Sequence, residues 1–433
     1  MAIRNIFWVR GVLKLHEELT IEAMGAKGDG VARKQGRALH VAFTLPGETI
    51  IATVDGERGE LNDIIKPSPD RITPICDVFG TCGGCALQHW AHEPYAAWKR
   101  DLLVHALAQH GLVTDVKPLK DASGIGRRRV VFHARKNEGR VEVGFMARRS
   151  HRLIAVARCP ILVPALAGAP DLALRIAQII DTDKPLDLHL TATKTGIDCD
   201  IRGLGVPSDR QRRRLVENID QLGLARLSVH SELMAMRAEP VMAIGRSLVT
   251  LPSGTFLQAT AAGEETLTAL AYECAGSAKK IADLFCGVGP FSLKLAEKAS
   301  VSAFDSDEPA VAALAAAAAR TEGLKPVSAT ARDLFRVPLV PHELNAFDAV
   351  LLDPPRAGAR AQMEEVAKSD VPRVISVACH VQSFARDAAI LVEAGYRFDY
   401  AVPVDQFAFS PHLEMIGLFT KTVATKRKRR LLG

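Results

Sequence analysis

The chain has 433 residues, 48% hydrophobic and 24% charged, an ordinary globular mixture long enough for roughly two to four domains. No run approaches the roughly 18 to 20 uncharged apolar residues of a membrane span, and Met1-Ala-Ile-Arg-Asn lacks the apolar core of a signal peptide. A cytoplasmic protein without membrane association is therefore expected. The net charge of +6 is unevenly spread: between Lys120 and Cys159 eleven Lys or Arg stand against three acids, Asp121, Glu138 and Glu142. Together with Arg127-Arg128-Arg129, Arg148-Arg149 and Arg210 to Arg214, this density predicts a polyanion partner such as RNA. For any single cluster the alternative is a solvated basic face. The Lys426 to Arg430 run reads as a tail that adds only non-specific attraction.

From about residue 18 to 66 apolar and polar residues alternate, as in Ala38 to Phe43 and Glu48 to Val54, with Gly25, Gly28, Gly30, Gly36 and Gly47 between the runs. That period and punctuation predict short antiparallel strands closed into a small barrel. Met24-Gly25-Ala-Lys27-Gly28-Asp-Gly30 followed by Leu45-Pro46-Gly47-Glu48 resembles a TRAM domain. The resemblance implies an OB-like, RNA-binding barrel over residues 1–66.

Residues 67–250 are expected to form a small α+β domain. Trp90 to His110 has helical spacing and stops at Gly111; Arg129 to Ala134, Arg140 to Phe145 and Leu186 to Thr193 read as strands, and Val163 to Ile180 as a helix. No internal repeat is evident. Cys76-x5-Cys82-x2-Cys85, with a distant Cys159-Pro160, is the strongest spacing signal here. Three thiols in a glycine-rich loop with a fourth from elsewhere suit an iron-sulfur cubane. Zinc held by four thiolates is the competing assignment. A disulfide is disfavoured in a cytosolic protein. Radical chemistry on the cluster is disfavoured too, because the first gap is five residues and a fourth ligand is at hand. Cys199, Cys274 and Cys286 read as structural.

Residues 251–433 alternate strand and helix signals. Ile281 to Phe285, Val301 to Asp305, Ala349 to Asp353 and Val374 to Ala378 are short apolar runs; Pro309 to Arg320 and Gln382 to Glu393 are helical. The alternation predicts a doubly wound, mostly parallel α/β sheet with ligands at the strand carboxyl ends. Asp283-Leu-Phe-Cys-Gly287-Val-Gly289 sets a glycine turn after the first strand, where backbone approaches a ligand. Ser292 at the third glycine position disfavours a dinucleotide. Asp305 is placed for ribose hydroxyls, Asp333 for an adenine amino group, and Asp353 for the cationic end of the same ligand. Singly, each aspartate is equally an ordinary cap or turn residue; serially, they resemble the class I S-adenosylmethionine (SAM) methyltransferase, or Rossmann-like, fold.

Cys379 ends the strand-like run from Arg373, after Asp353-Pro-Pro-Arg356 and before Glu414. Taken alone, a strand cysteine is more often a buried apolar residue. In this setting the chain resembles the RNA 5-methyluridine methyltransferases, in particular their iron-sulfur branch acting on 23S ribosomal RNA. The matching stretches are Phe256-Leu-Gln258, Asp283 to Gly289, Asp353 to Gly358, Ala378-Cys379, Phe384 to Asp387, and Phe407 through His412-Leu-Glu414. The resemblance implies that Gln258, Phe285, Gly287, Asp305, Asp333 and Asp353 line the SAM site, with Cys379 the nucleophile and Glu414 the base. At all four positions, Cys76, Cys82, Cys85 and Cys159, it implies a [4Fe-4S] cluster, structural or engaged with RNA; no obligate protein partner is evident in the sequence. The chemistry explains the residue types, since uracil C5 is too weak a nucleophile until a thiolate adds at C6, and a carboxylate must later remove the C5 proton.

The chain departs from the family pattern at Ala378 and His380 beside the nucleophile, at Ala408 after Phe407, and at Thr260. Alternatives at this point are a transfer-RNA substrate, an adenine-amino methyltransferase using the Asp-Pro-Pro loop, and a non-catalytic RNA-binding assembly factor.

Overall fold

The computed structural model describes residues 16–421, and the backbone of a two-residue strand pair, Trp8–Val9 with Val12–Leu13. The basic run Lys426 to Arg430 lies outside the described residues. Strands His16–Met24, Asp29–Lys34, Arg37–Ala42, Thr49–Asp55 and Arg58–Lys66 close into a five-stranded barrel. Leu19, Ile21, Leu39, Val41, Ile50 and Ala52 point inward and fill it, as the period-2 pattern requires.

The barrel is fastened to the rest of the chain at three places. Leu45 packs with Leu87, Trp90 and Tyr95. Glu48, fully buried, accepts from Arg71 Nη2 at 2.8 Å and from the backbone N–H of Leu45 at 2.8 Å. Asp29 accepts from both Arg148 and Arg149, the latter at 2.8 Å. Two arginines counted toward a nucleic-acid face are thereby committed to this docking.

The span 67–250 does not stay together in space. A seven-stranded sheet runs in the order Leu153–Ile154, Arg140–Met146, Arg129–Asn137, Leu186–Thr193, Gly196–Arg202, Leu224–Val229, Glu232–Met236. Helix Ala169–Ile180 covers it with Leu172, Ile176 and Ile180. The helix expected from Val163 thus begins later, after a single 3-10 turn at Pro164–Leu166. By contrast, helix His92–Gln109 buries Leu103, Ala106 and Leu107 in the carboxyl-terminal core, and Asp115–Val116 and Lys120–Asp121 pair with that domain's edge strand. The hairpin Val241–Ile244 with Ser247–Thr250 also packs there, through Met242, Ile244 and Val249.

The carboxyl-terminal sheet runs Val327–Ala331, Ser300–Asp305, Lys280–Leu284, Ala349–Leu352, Arg373–Ala378, all parallel, then Glu414–Thr420 antiparallel, then Arg397–Asp405. The chain order reverses direction between Lys280–Leu284 and Ala349–Leu352, so a crevice opens at the carboxyl ends of those two strands. Helices including Ala261–Ala275, Glu308–Arg320 and Val381–Glu393 cover the two faces. No helix among the described residues is long and apolar enough to cross a membrane.

Candidate active site

The crevice begins at the turn after Lys280–Leu284. Phe285 sits at φ +65°, a conformation that costs a non-glycine residue about 1–3 kcal/mol and that collects at functional sites. The amides of Phe285 and Cys286 both donate to the Phe304 carbonyl, stitching the turn to the next strand. Gly289, at φ +84°, passes so close to Leu314 that a Cβ would lie 2.2 Å from its Cδ1. Gly287 is the opposite case, because a Cβ there would meet nothing within 4 Å. Its amide donates to Asp305 Oδ2 at 2.9 Å, and Asp305 Oδ1 accepts from Asp307 N.

Around this turn the acids divide. Asp283 is fully buried; one oxygen accepts from Ser292 Oγ and the other has no hydrogen-bond partner. Burial raises it to about 7. Asp353 is surrounded by protein yet keeps some accessible surface, and burial followed by the charge of Asp283 raises it to about 7 as well. Asp333 caps its turn by accepting from the amides of Phe335 and Arg336. This is the ordinary turn role weighed for it, and it presents the exposed Phe335 ring 5.3 Å from Phe285.

Cys379 and Glu414 meet through strand register. Ala378 pairs with Met415 in the antiparallel ladder, so the next step sets Cys379 opposite Glu414 at the sheet's end. Glu414 is 3% exposed, and burial, then Asp353, raises it well above the ordinary carboxylate range. Cys379 is half-buried; burial and then the charges of Glu414 and Asp353 push its thiol up to about 11. His380, one of the departures beside the proposed nucleophile, caps helix Val381–Glu393 by accepting from Ser383 N at 3.4 Å. The Asp353-Pro-Pro-Arg356 loop is tied to the same helix by Ser383 Oγ donating to the Arg356 carbonyl and by Ala359 N donating to Asp387.

Gln258 bridges the two halves. Its Nε2 donates to Asp353 Oδ2 at 3.2 Å, and its Oε1 accepts from Gln406 Nε2 at 2.6 Å. Gln406 also accepts from the Ala259 amide at 2.8 Å. Buried Arg128 holds this segment from below, donating to the Gln258 carbonyl and to Glu264. Arg128 is thus a strut, not part of a basic face; Arg129 beside it stacks on exposed Phe256. Sequence reasoning missed Gln406 and Lys99, because their partners Gln258 and Asp405 lie 148 and 306 residues away and leave no local pattern.

The four cysteines Cys76, Cys82, Cys85 and Cys159 line one cavity of about 340 Å³. Cys82 Sγ accepts from Gly84 N at 3.4 Å, and the charges of the other three thiols add to the burial that pushes Cys159 up to about 11. Among the described residues no three His, Cys, Asp or Glu side chains are arranged to hold a metal ion. Cys199, Cys274 and Cys286 are buried, matching the structural reading.

Residues 244–422 match the family model described as tRNA (Uracil-5-)-methyltransferase. Over 415 residues, 94% of this chain and 100% of the relative, the sequence is 44% identical to an uncharacterized RNA methyltransferase of Caulobacter vibrioides. It is 33% identical over 443 aligned positions, 95% of this chain and 91% of the relative, to a 23S rRNA (uracil(1939)-C(5))-methyltransferase of Halomonas elongata. The fold matches that of the Pyrococcus abyssi tRNA (uracil-54, C5)-methyltransferase solved with S-adenosyl-L-homocysteine, with TM-score 0.71, 20% identity, and coverage of 93% of this chain and 100% of that one. The chain is an RNA methyltransferase and belongs to the RNA uracil-5-methyltransferase family.

Proposed function

We propose that the protein methylates C5 of a uridine in RNA, with Cys379 as nucleophile and Glu414 as base. The observation that carries this is their placement across one strand pair, beside the acid-lined crevice. The crevice fits SAM: Asp283 keeps an unpartnered buried oxygen, Gly287 leaves open space above its Cα, and Phe285 and Phe335 offer ring faces. Gln258, Phe285, Gly287, Asp305, Asp333 and Asp353 would hold it, with Asp353 toward the sulfonium. Bound there, SAM supplies the methyl group.

The protein's own residues do the rest. The Cys379 thiol gives up its proton to solvent, its thiolate bonds to uracil C6, and the C5–C6 π electrons move toward C5 and the C4 carbonyl, giving an enolate whose C5 takes the methyl group as the methyl–sulfur bond breaks and leaves S-adenosylhomocysteine. Glu414 then takes the C5 proton, the electrons of that C–H bond re-form the C5–C6 double bond, and the thiolate leaves. The target base must first leave its stack, which is cheapest in loop or single-stranded RNA. The barrel, by its TRAM resemblance, and the remaining arginines of the centre take the RNA-binding role, in the cytoplasm. The Halomonas relative favours 23S rRNA over transfer RNA.

The four cysteines we assign to a [4Fe-4S] cluster. The support is that all four thiols line one cavity and that their spacing in sequence is the one read for a cubane, in which each thiolate binds a different iron. Anaerobically purified protein should carry about four irons; stoichiometric zinc would overturn the assignment.

With 5-fluorouridine RNA, wild type should trap a covalent complex, because fluorine cannot leave as a proton does. Cys379→Ala should bind RNA and form none. Methyl turnover by Cys379→Ala would refute the mechanism, and separate 23S and transfer-RNA fragments distinguish the substrates.

A further inference from the structure

The chain between strand Arg397–Asp405 and strand Glu414–Thr420 is a loop with the reaction at both ends: Gln406 grips Gln258 at one, and Glu414 stands at the other. What fixes this loop comes from a helix far away in sequence. Lys99, on His92–Gln109, is 0% exposed. Its ammonium donates to Asp405 Oδ1 at 2.6 Å, to the His412 carbonyl at 2.8 Å and to the Phe407 carbonyl at 3.3 Å. All three N–H donors are matched to three acceptors spaced along the loop. One helical turn earlier, Tyr95 Oη donates to Asp405 Oδ2 at 2.6 Å and accepts from the Phe409 amide at 3.1 Å. Phe409 itself is held at φ +62°, its carbonyl accepting from Ala86 N and Leu87 N.

A buried ammonium-carboxylate pair is a poor way to gain stability, since well-packed apolar residues of similar size usually do as well or better. What the pair does provide is position. Lys99 and Tyr95 read out five points, the Asp405 carboxylate's two oxygens, the carbonyls of Phe407 and His412, and the amide of Phe409, and so leave the loop one arrangement. Burial lowers the Lys99 ammonium to about 8, opposed by Asp405. Asp121 also opposes the lowering, Arg127 adds to it, and His412 faces the same ammonium.

We infer that Lys99 and Tyr95 are positioning residues for the catalytic loop, setting Glu414 for the removal of the C5 proton. The inference rests on the proposed uracil-C5 reaction. Its test uses Tyr95→Phe, which removes one hydroxyl, and the pair Lys99→Met with Asp405→Asn, which withdraws both charges together and strands neither. The expected result in each variant is SAM affinity within twofold of wild type and turnover about ten- to a hundredfold lower, the scale of an ångström-sized displacement of a reacting group. In addition, a protein–RNA adduct should accumulate on ordinary uridine RNA, because addition at C6 outpaces elimination. A merely structural role would lower the adduct along with the folded fraction and could not raise it. If wild type traps no adduct even with 5-fluorouridine RNA, the proposed reaction fails and this inference with it. If wild type traps it and both variants show no adduct on ordinary RNA, with turnover tracking only the folded fraction by circular dichroism, the reaction stands and the positioning role is overturned.

Discussion

The acids of the crevice make a pH prediction that separates a sulfonium-facing Asp353 from a merely buried one. Without ligand Asp353 stands at about 7, raised first by burial and then by Asp283. A carboxylate against a sulfonium must be ionised, so binding draws the proton off and the affinity loss scales with the protonated fraction. That fraction falls from about ten elevenths at pH 6 to about one eleventh at pH 8, which strengthens SAM binding about tenfold, ~1.4 kcal/mol. S-adenosylhomocysteine carries the same amino-acid end but a neutral thioether, so its affinity should change much less over the same range. Calorimetry with both ligands at pH 6, 7 and 8, in buffers of different ionisation enthalpy, also reads the proton released, about half a proton at pH 7 for SAM. Asp353→Asn should flatten the difference between the two ligands. Equal pH slopes for SAM and S-adenosylhomocysteine would refute the placement of Asp353 at the sulfonium.

Glu414→Gln should still join Cys379 to RNA but lose turnover by about 10²- to 10⁴-fold, the usual worth of a general base; normal turnover without a slower-migrating adduct on a denaturing gel would remove Glu414 from that role. Iodoacetamide labelling of Cys379 should climb about tenfold per pH unit from 7 to 10, because burial and two acids hold the thiol near 11, and should be faster with SAM bound than with S-adenosylhomocysteine. A plateau below pH 9 would contradict that environment. Asp29→Asn should loosen the barrel by about 1–3 kcal/mol, less than for a fully buried pair because Arg148 and Arg149 are partly hydrated, and speed hydrogen exchange in strands 16–66 while sparing SAM affinity. Unchanged barrel exchange would mean that the Leu45 contacts and the Glu48–Arg71 pair hold it without Asp29.

Much of the fold was legible because periodicity is local. The barrel's alternation and the α/β alternation after residue 251 each encode their own layer, and Leu186–Thr193 appears at its expected limits. What local pattern cannot carry is partner choice. Nothing near Glu414 announces that its strand inserts antiparallel between Arg373–Ala378 and Arg397–Asp405, yet that insertion is what brings Glu414 to Cys379. Helix His92–Gln109 reads like any helix of the central span; only its contacts assign it to the carboxyl-terminal core. Lysine and arginine mislead most, since both are taken as surface residues by default. Lys99 and Arg128 are instead buried, and Arg148 and Arg149 are occupied by Asp29.

The electrostatics of the site also argue for an order of events. Asp283, Asp353 and Glu414 share a region of low polarity, and three carboxylates there cannot all be ionised at neutral pH. The same burial holds Cys379 as a thiol, with about one molecule in several thousand ionised near pH 7.5. Nucleophile and base are thus both held neutral first by burial and then by the charge of Asp353. On the proposed placement of SAM, its sulfonium offsets the charge of Asp353, which then opposes ionisation of Cys379 and Glu414 less. On the proposed reaction, SAM bound first therefore favours addition of the thiol to the base, the order that spares the enzyme a covalent RNA adduct with no methyl group to give it. The faster labelling of Cys379 expected with SAM than with S-adenosylhomocysteine is the direct trace of that coupling.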